Sequence, residues 1–157
     1  MQFLDEKLKG TTIAYSTTNG TRAINLIKEQ EETSIFVAAL TNITTLTNYI
    51  FTASENVVIV CSGWKQKFSL EDAAVAGAYC ERLMENNHYQ NVCDSSTAAV
   101  DLWSLAKNDL SGYIDKCIHR HRLAKLGLDD SIPYCLTADT TPVIPFVNDG
   151  MIINIKK

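Results

Sequence analysis

The sequence predicts an α/β fold: a three-layer α/β/α domain with a mainly parallel sheet and a C-terminal β-hairpin. Three observations carry that expectation. Short apolar, partly β-branched runs recur at residues 12–17 (TIAYST), 34–40 (SIFVAAL) and 56–61 (NVVIVC). Each is followed by a loop of small polar residues, and each loop leads into a segment with helical character. Such alternation is the pattern of right-handed βαβ units, in which strands buried on both faces read as nearly continuous apolar runs.

Taken in order, helices are expected at about 21–30, 43–53 and 70–86. A fourth, SSTAAVDLWSLAKN, carries Ala98, Ala99, Leu102, Leu105 and Ala106 on one face. A fifth, SGYIDKCIHRHRLAKLG, ends at Gly127, a residue suited to stopping a helix. The tail PVIPFVNDGMIINIKK reads as a hairpin turning at Asn148, Asp149 and Gly150. No linker, repeat or low-complexity tract interrupts the chain, so residues 1–157 are expected to form one domain.

Composition narrows the functional classes. A net charge of −4 with interspersed signs provides no basic stripe for nucleic acid. No apolar run approaches the roughly 18 residues of a membrane span, and nothing has the form of a signal peptide. A soluble, cytoplasmic protein is the expectation. The five cysteines form no CxxC pair and read mostly as reduced core residues. Cys61 stands apart because it closes an apolar run where active-site loops begin. CSGWKQK nevertheless lacks the C-x5-R cradle of cysteine phosphatases, since Lys67 occupies the arginine position.

In a parallel sheet the three post-strand loops emerge at one edge, where ligands bind. The stretch STTNGT would there set the hydroxyls of Ser16, Thr17, Thr18 and Thr21 and an unhindered Gly20 beside the N–H groups of a helix N-terminus. That chemistry suits a phosphate. A plain helix cap at Thr18 or Asn19 accounts for the same residues, and Thr41 or Asn42 is equally competent to cap the second helix. Ser69-Leu70-Glu71-Asp72 fits a capping box in which Asp72 reaches back to Ser69; carboxylates there could also ligate a divalent cation. In HRHR, His119 and Arg122 share one helix face and Arg120 takes another.

In this order and spacing, TTNGTRAI, LTN, CSGWKQKFSLEDAAVAG, HRHRLAKLG and IPYCLTADTTPVIP resemble the 2-phosphosulfolactate phosphatase family. The resemblance implies a magnesium-dependent hydrolase that converts 2-phospho-3-sulfolactate to sulfolactate and phosphate, a step of coenzyme M formation, with Mg²⁺ as cofactor and a small phosphoester as its partner. Thr17, Thr18, Asn19, Gly20 and Thr21 match the family's anion-binding loop. Asn42 matches its second loop, Gly63, Glu71 and Asp72 its third, and His119 and Arg122 a later H-x-x-R-L element.

On that footing Thr18 to Thr21 hold phosphoryl oxygens, Glu71 and Asp72 ligate or orient the metal, Arg122 serves a carboxylate or sulfonate, and His119 protonates the leaving alkoxide. The resemblance covers roughly the C-terminal two-thirds of the family pattern. Its D-V-x-R-A-T-like and G-N-S-P-like motifs have no counterpart here, and Ser131 stands where an acidic residue is expected. An N-terminally truncated domain that folds without turning over is therefore one expectation, and a homodimer formed through an exposed sheet edge is another. A non-catalytic phosphate-binding module is the alternative function. A nucleotide-binding enzyme is disfavoured by the lack of G-x-G-x-x-G and G-x4-G-K-[ST].

Overall fold

A computed structural model describes residues 8–30, 33–53, 55–85 and 87–155. The chain enters α1 (Gly20–Lys28), then passes through a 3-10 turn, Leu40–Asn42, into α2 (Ile43–Ala53). Two longer helices follow, α3 (Leu70–Met84) and α4 (Asp94–Ala106). Next come α5 (Leu110–Ile114), α6 (Ile118–Lys125) and the short α7 (Ile132–Cys135). The strands β1 (Pro145–Asn148) and β2 (Met151–Asn154) close the described chain.

The α3 and α4 helices pack against each other because both present small residues. Ala73, Ala74, Ala76 and Ala78 of α3 and Ala99 and Ala106 of α4 are buried. At Gly77 the backbones come so close that an added Cβ would lie 1.9 Å from the Ala99 carbonyl oxygen. Polar contacts fasten the same pair at its rim. Trp103 Nε1 donates to Glu81 at 2.9 Å and Lys107 Nζ at 2.7 Å. A second apolar cluster joins Leu40, Ile43 and Leu46 to Ala78, Tyr79 and Ile144, so the two sides of α3 serve two cores.

The expected parallel sheet does not form. Among the described residues the only sheet is the antiparallel β1–β2 hairpin, with Phe146 opposite Ile153 and Val147 opposite Ile152. Its tight turn is the expected one: Asp149 and Gly150 take φ of +47° and +80°, as a two-residue hairpin loop requires. The run 34–40 lies antiparallel beside β1, with Val37 N–H bonded to the Pro145 carbonyl and Val147 N–H to that of Ile35, both at 2.9 Å. The runs 12–17 and 56–61 belong to no strand. Apolar, β-branched composition marks a segment that favours extended backbone and burial, but a ladder also needs a neighbour in register. Here residues 33–40 and 55–62 instead line a largely apolar cleft of about 1000 Å³.

Three smaller expectations are also corrected. The fifth predicted helix breaks into α5 and α6, because Cys117 turns to an extended conformation and buries against the Ala74 and Ala106 cluster. That break re-aims α6. Of the five cysteines, only Cys117 is buried; Cys61, Cys93 and Cys135 are exposed and Cys80 is half-buried. On α4, Ala99 and Ala106 are buried and Leu102 and Trp103 half-buried, while Ala98 and Leu105, expected on the same face, are exposed.

Candidate functional site

The third loop is built around Asp72. Ser69 caps α3, accepting the Asp72 N–H at 3.4 Å. The Asp72 carboxylate reaches back, but to the Ser69 hydroxyl (2.9 Å) rather than to a backbone N–H. Its other oxygen accepts the Gly63 N–H at 2.8 Å and the Ser62 hydroxyl at 3.3 Å. Gly63 is demanded twice over: its φ is +66°, and a Cβ would lie 2.5 Å from the Lys67 carbonyl oxygen. Between them Trp64 and Lys67 exchange backbone hydrogen bonds of 3.1 and 2.9 Å, closing a two-residue turn at Lys65 and Gln66.

The first loop is joined to the third. Thr17 and Thr21 cap each other, the Thr17 N–H donating to Thr21 Oγ1 at 3.0 Å and the Thr21 N–H to Thr17 Oγ1 at 3.1 Å. Gly20 keeps the space beneath Thr17 Oγ1 open, as a Cβ there would approach it to 2.9 Å. Helix geometry leaves the first-turn N–H groups of Gly20 and Arg22 without an intrahelical acceptor. Asn19 Oδ1 accepts the Lys65 N–H at 3.3 Å, which sets the two loops side by side.

The break before α6 supplies the third wall. His119 Nδ1 lies 2.7 Å from Glu71 Oε1, and one turn further along the Arg122 guanidinium lies 6.0 Å from the Trp64 ring centroid. Burial raises the Glu71 carboxyl above the ordinary glutamate range; His119 works against that shift and Asp72 with it. Arg120, on another face of α6, pairs with Asp115 at 3.1 Å and with Asp129. It holds α6 to its flanking turns.

The structure thus brings together Thr17, Asn19, Gly20, Thr21, Gly63, Glu71, Asp72, His119 and Arg122, with Thr18 exposed on the same loop. Asn42 is a different case. It is buried, and its oxygen accepts the Ala39 N–H (2.9 Å) and the Tyr79 hydroxyl (3.1 Å). Its amide nitrogen donates to the Val37 and Val143 carbonyls. Cys61 is set against nucleophilic duty: although the residue as a whole is exposed, partial burial of its thiol and the charge of Asp72 push the pKa up.

Three participants escape the sequence reading. Ser62 donates to Asp72, Trp64 faces Arg122, and Asp139 binds both the N–H and hydroxyl of Thr44 at the start of α2. Asp139 sits 95 residues from Thr44, so no local signal announces that cap. Trp64 and Ser62 lie inside a motif whose Cys61, Gly63, Ser69, Glu71 and Asp72 alone looked chemical.

A metal has limited room. Among the described residues no group of three or more His, Cys, Asp or Glu side chains is arranged to hold one. Both Asp72 oxygens are engaged, whereas Glu71 uses Oε1 for His119. Glu71 Oε2 remains. No helix among the described residues is long and apolar enough to cross a membrane.

Comparison with known proteins agrees with the motifs. The family model described as 2-phosphosulpholactate phosphatase matches residues 1–150. Three similar proteins each bear the name "Probable 2-phosphosulfolactate phosphatase". The one from Caldanaerobacter subterraneus subsp. tengcongensis is 34% identical over 97% of this chain and 62% of its own length. That of Gloeobacter violaceus is 38% identical over 89% and 57%, and that of Thermotoga maritima 31% over 98% and 64%. The chain spans about three-fifths of the length of these relatives. On the match across residues 1–150, the chain belongs to the 2-phosphosulfolactate phosphatase family.

Proposed function

We propose that this chain hydrolyses 2-phospho-3-sulfolactate, or a closely related phosphoester, to the alcohol and inorganic phosphate. The observation that carries the reading is the pairing of His119 with Glu71 beside two joined polar loops. Phosphate monoester hydrolysis gains most from positioning and charge neutralisation, and those are what these groups can give. The first-turn N–H groups of α1 and the hydroxyls of Thr18 and Thr21 hold phosphoryl oxygens. Thr17 keeps Thr21 in place. Glu71 fixes His119 by its Nδ1 atom, which leaves Nε2 to donate a proton to the leaving alkoxide. Asp72 and Gly63 hold the third loop, and Arg122 takes the substrate carboxylate or sulfonate. Asn42 works at one remove, fixing the backbone of the second loop.

Phosphatases of this family point to a metal-dependent reaction, and magnesium is the cation we infer. It fits one protein oxygen here, Glu71 Oε2, because Mg²⁺ commonly takes one or two carboxylates and fills its other positions with water and phosphate oxygens. Bound there it would neutralise phosphoryl charge.

The test is phosphate release from 2-phospho-3-sulfolactate with Mg²⁺ or with EDTA, by the native chain and by Glu71→Gln and His119→Gln. Metal-dependent release that falls about 100-fold in His119→Gln is the expected result. Release undiminished in both variants would remove these residues from the chemistry. Phosphate binding without any release would leave the loops as a non-catalytic anion cradle.

A further inference from the structure

The turn that joins the first and third loops carries a feature the hydrolytic reading does not use. Lys65 and Gln66 occupy the left-handed region, with φ of +49° and +62°, where Asn-Gly would close the same turn at lower cost. Non-glycine residues held there point to a local constraint of functional interest. Lys65 Nζ lies 4.8 Å from the centroid of the half-buried Trp64 ring, and the Arg122 guanidinium lies 6.0 Å from that same ring. Neither cation is within ion-pair distance of a carboxylate among the described residues, in contrast to Arg120 and Lys107. Two cations attracted to one indole, in a protein of net charge −4, keep their charge available for a ligand.

We propose that Lys65, positioned by Trp64, is a specificity-determining residue that with Arg122 binds the second anionic group of the substrate, away from the phosphate loop. This rests on the phosphoester reading above and adds its selectivity. The Lys65 N–H is anchored to Asn19, so the side chain that would read the second anion is tied by its own backbone to the loop that holds the phosphate. The ligand class is a small phosphoester with a carboxylate or sulfonate on a neighbouring carbon. A simple alkyl phosphate leaves both cations without a partner.

The experiment is equilibrium binding of 3-sulfolactate and, separately, inorganic phosphate, to the native chain and to Lys65→Gln, Lys65→Arg and Trp64→Leu. Sulfolactate needs no hydrolysis to be read. Lys65→Gln is expected to weaken sulfolactate about tenfold, the loss of one charge-assisted contact, with phosphate affinity unchanged. Lys65→Arg restores most of it. Trp64→Leu weakens sulfolactate as well, because both cations lose the ring they pack against. Equal sulfolactate affinity in the native chain and Lys65→Gln would overturn the assignment, as would parallel losses of sulfolactate and phosphate. Failure of the hydrolytic reading shows itself elsewhere, in phosphate release that ignores Glu71 and His119.

Discussion

Two apolar regions of the molecule meet opposite fates. The α3–α4 pair closes on alanines and one glycine until the two backbones approach each other, whereas the runs around residues 12–17 and 56–61 carry larger, β-branched residues that stay mostly exposed, with Val57 and Ile59 half-buried. Val58 is 83% exposed and Leu46, beneath α3, only 1%. Hydrophobicity alone does not separate them. A helix satisfies its own backbone and needs only a complementary face, while an extended run must also find a partner for its N–H and C=O groups. Small residues give α3 and α4 that face at close range. The run 56–61 borders an open cleft.

The contrast breaks first at its extremes. Leu46→Ala should cost about 2–5 kcal/mol, the transfer of a buried leucine plus the cavity it leaves. Val58→Ala should stay within about 0.5 kcal/mol, as for exposed positions in general. Urea unfolding of the two variants measures both. Equal losses would mean that Val58 is buried in solution and that the extended run is packed as tightly as the core beneath α3.

Gly77→Ala sharpens the account of the packed side. In an isolated helix this change is worth about 0.5–1 kcal/mol of stabilisation. Here the new methyl would meet the Ala99 carbonyl at 1.9 Å, and the helices must separate. A net loss of about 1–3 kcal/mol is expected, the usual range for overpacking. A thermal midpoint at or above that of the native chain would show that α4 is free to slide, and the close approach would not then define the core.

These same features explain what could be read in the sequence. Helix positions were legible wherever local rules act: α2 spans the expected residues 43–53, and α3 starts at Leu70 behind its Ser69 cap. The hairpin was legible because Asp149-Gly150 has few other uses. Strand pairing was not, since NVVIVC records a preference for burial and says nothing of what lies beside it. Nor was the division of the fifth helix, decided by the burial of Cys117 against Ala74 on a distant helix as well as against Ala106. At the site, Glu71 and His119 were each singled out, yet their 2.7 Å contact depends on that unforeseen break. Asn42 illustrates the reverse: a residue type suited to binding anions is saturated by four protein partners.

The finest distinction lies between two carboxylates on α3 itself, Glu71 at the site end and Glu81 against α4. Glu81 is held below the ordinary glutamate range, chiefly by its hydrogen bond from Lys107, against some burial and with help from Trp103. Glu71 is held above that range by burial, despite His119. The signs of their linkage to folding are therefore opposite. For Glu81 the folded state binds the proton less tightly, so its stabilisation is present above the unfolded pKa and is lost as pH falls through the folded one. For Glu71 the folded state binds the proton more tightly, so its contribution is present below the unfolded pKa and is lost as pH rises through the raised one. Replacing each by glutamine isolates the two. Relative to the native chain, Glu81→Gln should gain ground as pH drops below about 4.3, and Glu71→Gln should gain ground as pH climbs above it. Both groups are partly solvated, so each swing should remain below about 1 kcal/mol. Urea midpoints across acid and neutral pH read the slopes directly. Slopes of the same sign would mean that the contact with His119, and not burial, governs Glu71, and the pair at the site would then resemble the one that clamps α3 to α4.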